Sequence, residues 1–238
     1  MKRLVLMFGL LAGAIASSEG TRAQEKKDKP SGVTVDKEKK TVSVDAKVAP
    51  RKLANLDKVY PIELIAGWGA PKGKKAHEIV VSFEVDPSEV HKGLEQLGLK
   101  AGKPALGGPP KEGDPFPKAD GPIVNVYVEV PDGPGATKKV SMEKILWDPA
   151  TKKAPPKMTF VFTGSTMIAP DPNKPDDKKY GADLTGSLIV LFPVTSDTVF
   201  QTTWTMKEEK FLKLDVNADA LPKENTAVKL VIEVPEKK

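Results

Sequence analysis

Apolar and polar residues alternate in short runs along most of this chain, beginning at Val33. Val-Thr-Val-Asp at 33–36 and Thr-Val-Ser-Val at 41–44 place valine at every second position on either side of Lys37-Glu38-Lys39-Lys40. That pattern predicts a β-hairpin. Runs at 60–67 and 77–85 predict two more strands, joined by a Gly/Pro/Lys-rich loop over 68–75. The period then changes at Asp86-Pro87-Ser88-Glu89, where Asp suits a cap, Pro the first helical position and Glu89 the closing place of a capping box. A helix over 87–97 that stops at Gly98 follows from it. The Pro- and Gly-rich stretch 100–122 reads as an exposed loop inside one sheet system. Beyond it, 123–130, 158–163, 184–192, 198–203, 211–216 and 227–234 have strand character, with a second short helix at 142–147 capped by Ser141. Many strands and one or two helices predict an α+β domain, predominantly antiparallel β with a sandwich-like sheet core.

The N-terminus follows another pattern. Lys2 and Arg3 precede an apolar run over 4–16, and Thr21-Arg22-Ala23 puts small residues where a signal peptidase reads. Residues 1–23 therefore read as a signal peptide cleaved near Ala23, giving an exported protein, periplasmic or secreted. The apolar run is shorter than the ~20 residues that span a bilayer, and no later run approaches that length, so no transmembrane segment is expected in the mature chain. Residues 24–32 are charged and Pro-containing and read as a disordered lead-in, leaving 33–236 as a single domain.

Lys2, Arg3, Arg22 and Glu19 lie in the leader, so the net charge falls from +5 to +3 on cleavage. The remaining basic residues are lysines and one arginine, Arg51. Lysine lacks the planar fork that reads bases, and these lysines are interspersed with Asp and Glu, which argues against sequence-specific nucleic-acid binding. The chain has no cysteine. Structural disulfides, thiol nucleophiles, thiolate zinc sites and cysteine-ligated iron–sulfur clusters are thereby excluded, and no cofactor is predicted.

Both histidines, His77 and His91, fall in the segment 76–99. An imidazole beside a carboxylate, as in His77-Glu78, is the natural place for proton transfer or metal binding near neutral pH. On a regular strand His77 shares a face with Ile79, Val81 and Phe83 while Glu78 points away. On the helix His91 lies in the stripe of Val90, Leu94 and Leu97, as a hydrogen-bonded core histidine would. A straight strand followed by a helix folded back on it separates the two by ~20 Å, too far for one metal ion. Other patterns are incomplete: Gly67-Trp68-Gly69 with Gly73 lacks dinucleotide-loop spacing, 171–176 lacks the central Gly of a calcium loop, and Gly164-Ser165 lacks the second glycine of a nucleophile elbow. Trp68, Trp147 and Trp204, with Tyr180, either line a ligand groove or, more commonly for a β-rich core, serve packing.

Lys75-Ala76-His77-Glu78, Asp86-Pro87-Ser88-Glu89-Val90-His91, 97–104 (LGLKAGKP), Thr163-Gly164-Ser165 and Tyr180-Gly181-Ala182-Asp183-Leu184-Thr185-Gly186 occur in this order. Together they resemble the YdjY-like domain of exported bacterial proteins, over roughly 34–234. The resemblance implies no assigned activity; an iron–sulfur label given to a family member is ruled out here by the absence of cysteine. It draws attention to His77, Glu78, His91, Tyr180 and Asp183 as candidate ligand-binding residues. The expected function is a non-enzymatic binding or interaction module for a protein or envelope component. The alternative is a metal-assisted or acid–base enzyme using His77 with Glu78 or Asp183.

Overall fold

A computed structural model of the chain describes residues 32–108, 110–210 and 212–236. The leader predicted over 1–23 and the lead-in predicted over 24–32 lie outside these residues, apart from Gly32, whose carbonyl accepts from the Asp45 amide at 2.8 Å. The first half runs β1 (Val33–Asp36), β2 (Thr41–Val48), β3 (Leu64–Trp68), β4 (Ile79–Phe83), α1 (Pro87–Gln96), β5 (Ile123–Pro131) and β6 (Thr137–Ser141). The middle holds α2 (Met142–Ile145), β7 (Leu146–Trp147), β8 (Phe160–Phe162), β9 (Met167–Ile168), β10 (Lys179–Tyr180) and α3 (Gly181–Thr185). The chain ends with β11 (Ser187–Val190), β12 (Phe200–Thr202), α4 (Met206–Glu209), β13 (Asp215–Val216) and β14 (Ala227–Glu233).

β1 and β2 form the hairpin expected from their alternation. The main sheet then runs β2-β14-β5-β8-β12-β11-β3-β4 and returns to β2, where Lys47 pairs with Ser82 and Val48 with Val81. The predicted sandwich-like core is therefore corrected to a closed eight-stranded barrel, with β1 and β6 attached to it. Closure joins the two open edges of one sheet instead of stacking two sheets. The pairings are antiparallel except β3 with β4 and β11 with β12.

β2 buries Val42, Val44, Ala46 and Val48, β5 buries Val124, Val126, Val128 and Val130, and β14 buries Val228, Leu230 and Ile232, each at alternate positions. β3 and β11 are buried throughout, because Leu64 and Val190 pack with Ala49 and Ile79 in a second small cluster. α1 buries Val90 and Leu94 and lies against the hairpin so closely that a Cβ added at Gly93 would sit 3.2 Å from methyls of Val35 and Val42. Gly98, at φ +85°, ends it as expected.

Several details differ from expectation. The Asp86 side chain does not cap α1. The 142–147 helix stops at Ile145, and Leu146–Trp147 pairs with β13. The strand expected at 184–192 begins only at Ser187, because Gly186 at φ +73° terminates α3 first. Of the strand expected at 211–216, β13 covers Asp215–Val216, and a capping box between Thr205 and Glu208 opens α4 ahead of it.

Candidate functional site

Residues 69–78 connect β3 to β4 as turns, and β4 begins at Ile79. The strand alternation assumed for 77–85 therefore does not apply to His77 and Glu78. Instead of pointing apart, they converge, with His77 Nε2 3.2 Å from Glu78 Oε1. Glu78 is buried, and its Oε2 accepts from Lys75 Nζ at 2.7 Å. The same ammonium reaches Glu63 Oε2 at 3.1 Å, so one cation serves two carboxylates. Burial raises the Glu63 carboxyl above its ordinary value, and the Glu78 charge adds to that. Burial works against the Lys75 ammonium, but its hydrogen bonds to Glu78 and Glu63 prevail and hold its pKa above the ordinary value.

Tyr60 meets the His77 imidazole edge-on at 4.9 Å between ring centroids. Arg51 ties the surrounding loops together: Nε donates to Asp215 Oδ1 at 2.7 Å, Nη1 to the His77 carbonyl at 3.4 Å and Nη2 to the Tyr60 carbonyl at 2.5 Å. The planar fork suits three acceptors set in different directions.

His91 belongs to a second network. The Tyr180 hydroxyl oxygen accepts from the Ser165 amide at 3.1 Å and lies 2.7 Å from His91 Nδ1. His91 Nε2 lies 3.4 Å from Glu95 Oε1, so the ring bridges a phenol and a carboxylate. Burial pushes the Tyr180 phenol above its ordinary value; the Ser165 amide opposes this and the charges of Asp183 and Glu95 add to it. Ser165 Oγ accepts from the Ala182 amide at 2.9 Å and donates to the Thr166 carbonyl at 3.2 Å. Its hydroxyl is thus engaged with backbone rather than with a base. Gly164, at φ +65°, lets the backbone pass beneath the imidazole, since an added Cβ would lie 3.2 Å from His91 Cε1 and 2.8 Å from Ala101 Cβ. Phe162 packs edge-on against the same ring, with 4.9 Å between centroids.

Asp183, weighed as a partner for His77, lies with the His91 network instead. Its Oδ1 accepts from the Ser88 amide at 2.8 Å, at the start of α1. The candidate residues are thus sorted into two groups, His77 with Glu78 and His91 with Tyr180, with Asp183 capping the helix that carries His91. Among the described residues no group of three or more His, Cys, Asp or Glu could hold a metal ion. Sequence reasoning missed Arg51, Glu63 and Lys75 as members of the first network. Lys75 stood inside the Lys-Ala-His-Glu motif, and Arg51 was conspicuous as the one arginine beyond residue 22.

Two tryptophans serve packing. Trp68 donates from Nε1 to the Val85 carbonyl at 2.8 Å, and Trp204 stacks on Phe192 at 5.7 Å. Trp147 differs: it is half-buried and lines a groove of about 390 Å³ with Glu143, Lys144, Lys152, Asn217 and Asp219. The 171–176 run is an exposed turn in which Asp171 Oδ1 accepts from the Asn173 amide at 2.9 Å.

No curated protein and no solved structure matches this chain. The family model of the YdjY domain matches residues 33–233, from the first strand of the hairpin to the end of β14 and across both histidine networks, and the chain belongs to that family.

Proposed function

We propose that this YdjY-domain chain is an exported, soluble, non-enzymatic binding module, released into the periplasm or the medium after cleavage near Ala23. The leader pattern at 1–23 supports export. One observation supports a binding role above all: the chemically competent side chains are engaged within the fold. His91 is held by Tyr180 and Glu95, Asp183 caps α1, and Glu78 and Glu63 share Lys75. Such groups hold the fold in shape, and the groove beside Trp147, next to the β7–β13 pair and apart from the barrel strands, is left for a partner such as an envelope component.

A second function, metal-assisted or acid–base catalysis at His77, is favoured by the 3.2 Å approach of its Nε2 to Glu78. Thermal unfolding after chelation, then with a panel of divalent metals at neutral pH, separates the two. A bound metal at ~100 times its Kd would stabilise by ~2.7 kcal/mol, several degrees for a domain of this size. The binding-module assignment predicts no metal-specific rise, and a His77→Ala variant that melts lower without altering the metal response. A rise that disappears in His77→Ala would transfer the function to a metal site.

A further inference from the structure

We infer that the groove beside Trp147 binds a neutral saccharide, an assignment that rests on the binding-module function proposed above. β7 has only two residues, and both reach the groove: Leu146 is almost wholly buried and Trp147 half-buried, and each contributes to the lining. The walls are built from segments tied by hydrogen bonds. On one side Asp148 accepts from the Ala150 amide at 2.8 Å and from Thr151 Oγ1 at 3.0 Å, and its carbonyl accepts from the Lys152 amide at 2.7 Å. These bonds hold Lys152 at φ +55°, a left-handed conformation that an L residue takes only where its surroundings impose it. On the other side the Asn217 amide donates to the Ile145 carbonyl at 2.7 Å, and Asn217 Oδ1 accepts from the Asp219 amide at 3.2 Å. A volume of about 390 Å³ falls in the roughly 300–1,000 Å³ range of small-ligand sites.

The lining selects among ligand classes. Lys144 and Lys152 supply donors, Asp219 supplies acceptors, and Glu143 keeps one oxygen available after accepting from the Met158 amide at 3.3 Å. An anion would face Asp219 and Glu143, and a cation would face two lysines. A wholly apolar ligand would cover Leu146, Ala154, Ala220 and the Trp147 ring but would offer the four charged side chains no hydrogen bond. A neutral sugar ring meets each demand. Its hydroxyls donate to carboxylates and accept from ammonium groups, while its C–H face, weakly positive, lies on the negative face of an indole.

The full chain titrated with cellobiose, maltose and diacetylchitobiose, followed by tryptophan fluorescence and calorimetry, tests the assignment. Trp68 and Trp204 are buried, so the optical change reports chiefly on Trp147. At least one disaccharide should bind saturably. Trp147→Ala and Asp219→Asn should each weaken it by about tenfold or more. Lys152→Gly, which suits the backbone there, guards against loss of fold as the cause and should weaken binding at an unchanged melting temperature. No saturable binding to any of the three, or equal affinity in the variants, overturns the proposal. Binding to dextran sulfate alone, falling with salt, overturns it in favour of an anion site. Either failure leaves the metal titration, which decides between binding module and metal enzyme, unaffected.

Discussion

Lys75 carries the charge balance of the His77 network, because Glu78 is buried and Glu63 partly so, and both rely on its single ammonium. The Lys75 pKa is raised, so its stabilisation is fully present below its ordinary value near 10.5 and is lost as pH rises through the higher folded value. Glu63 is also raised, which for an acid has the opposite meaning: its ionisation opposes folding, and the penalty develops as pH rises from near 4.5 through the folded value. Lys75→Met removes the compensating cation and should destabilise the protein at neutral pH by about 1–2 kcal/mol. That is less than the ~3–5 kcal/mol of a fully buried pair, because the Lys75 side chain is 46% exposed. Melting curves at pH 7 and near pH 4.5 should show the deficit narrowing as Glu63 takes up a proton; a deficit independent of pH would contradict this account. The motif placed His77 beside Glu78 in sequence, but contact between their side chains depended on a turn in place of the assumed strand, and turn geometry leaves only a weak trace in residue pattern.

At the scale of elements, α1 was legible almost to the residue, since Pro87, the Val90/Leu94 stripe and Gly98 are local signals. Its cap was not. Asp86 and Glu89 have the spacing of a capping box, yet the Ser88 amide is satisfied by Asp183, 95 residues away. Asp183→Ala should cost about 1 kcal/mol and speed hydrogen exchange at the Ser88 amide, while amides late in α1 keep their protection. Unchanged exchange at Ser88 would mean that Asp86 takes over the cap. The strand spacing read over 184–192 takes in Leu184 and Thr185, which form the end of α3. The left-handed Gly186, pressed against the Trp68 ring, separates helix from strand there. Of that turn only the glycine is visible in sequence; its contact with Trp68 is tertiary.

At the scale of the whole molecule, the barrel core links directly to the His91 network through Phe162, which is fully buried and touches both Phe200 and the imidazole. Phe162→Ala should lower stability by about 3–5 kcal/mol in urea unfolding, with the loss of the edge-on contact visible as a shift of the His91 ring resonances. A loss under 1 kcal/mol would mean that the neighbouring rings collapse into the space. The sequence by itself determined that the chain is β-rich, where its hairpin and main helix lie, that it has no thiol chemistry and that its motifs are those of a YdjY domain, because periodicity, caps and composition are local properties. Tertiary structure alone decided that the sheet closes through the short β2–β4 pairing, that Asp183 serves α1 rather than His77, that Arg51 and Lys75 bind the first network together, and that Trp147 faces a groove while Trp68 and Trp204 pack. The physical reason is common to all of these: each depends on which side chains and backbone groups meet at hydrogen-bond or van der Waals distance, and a pattern of period two or 3.6 describes which face a residue occupies but not what stands opposite it.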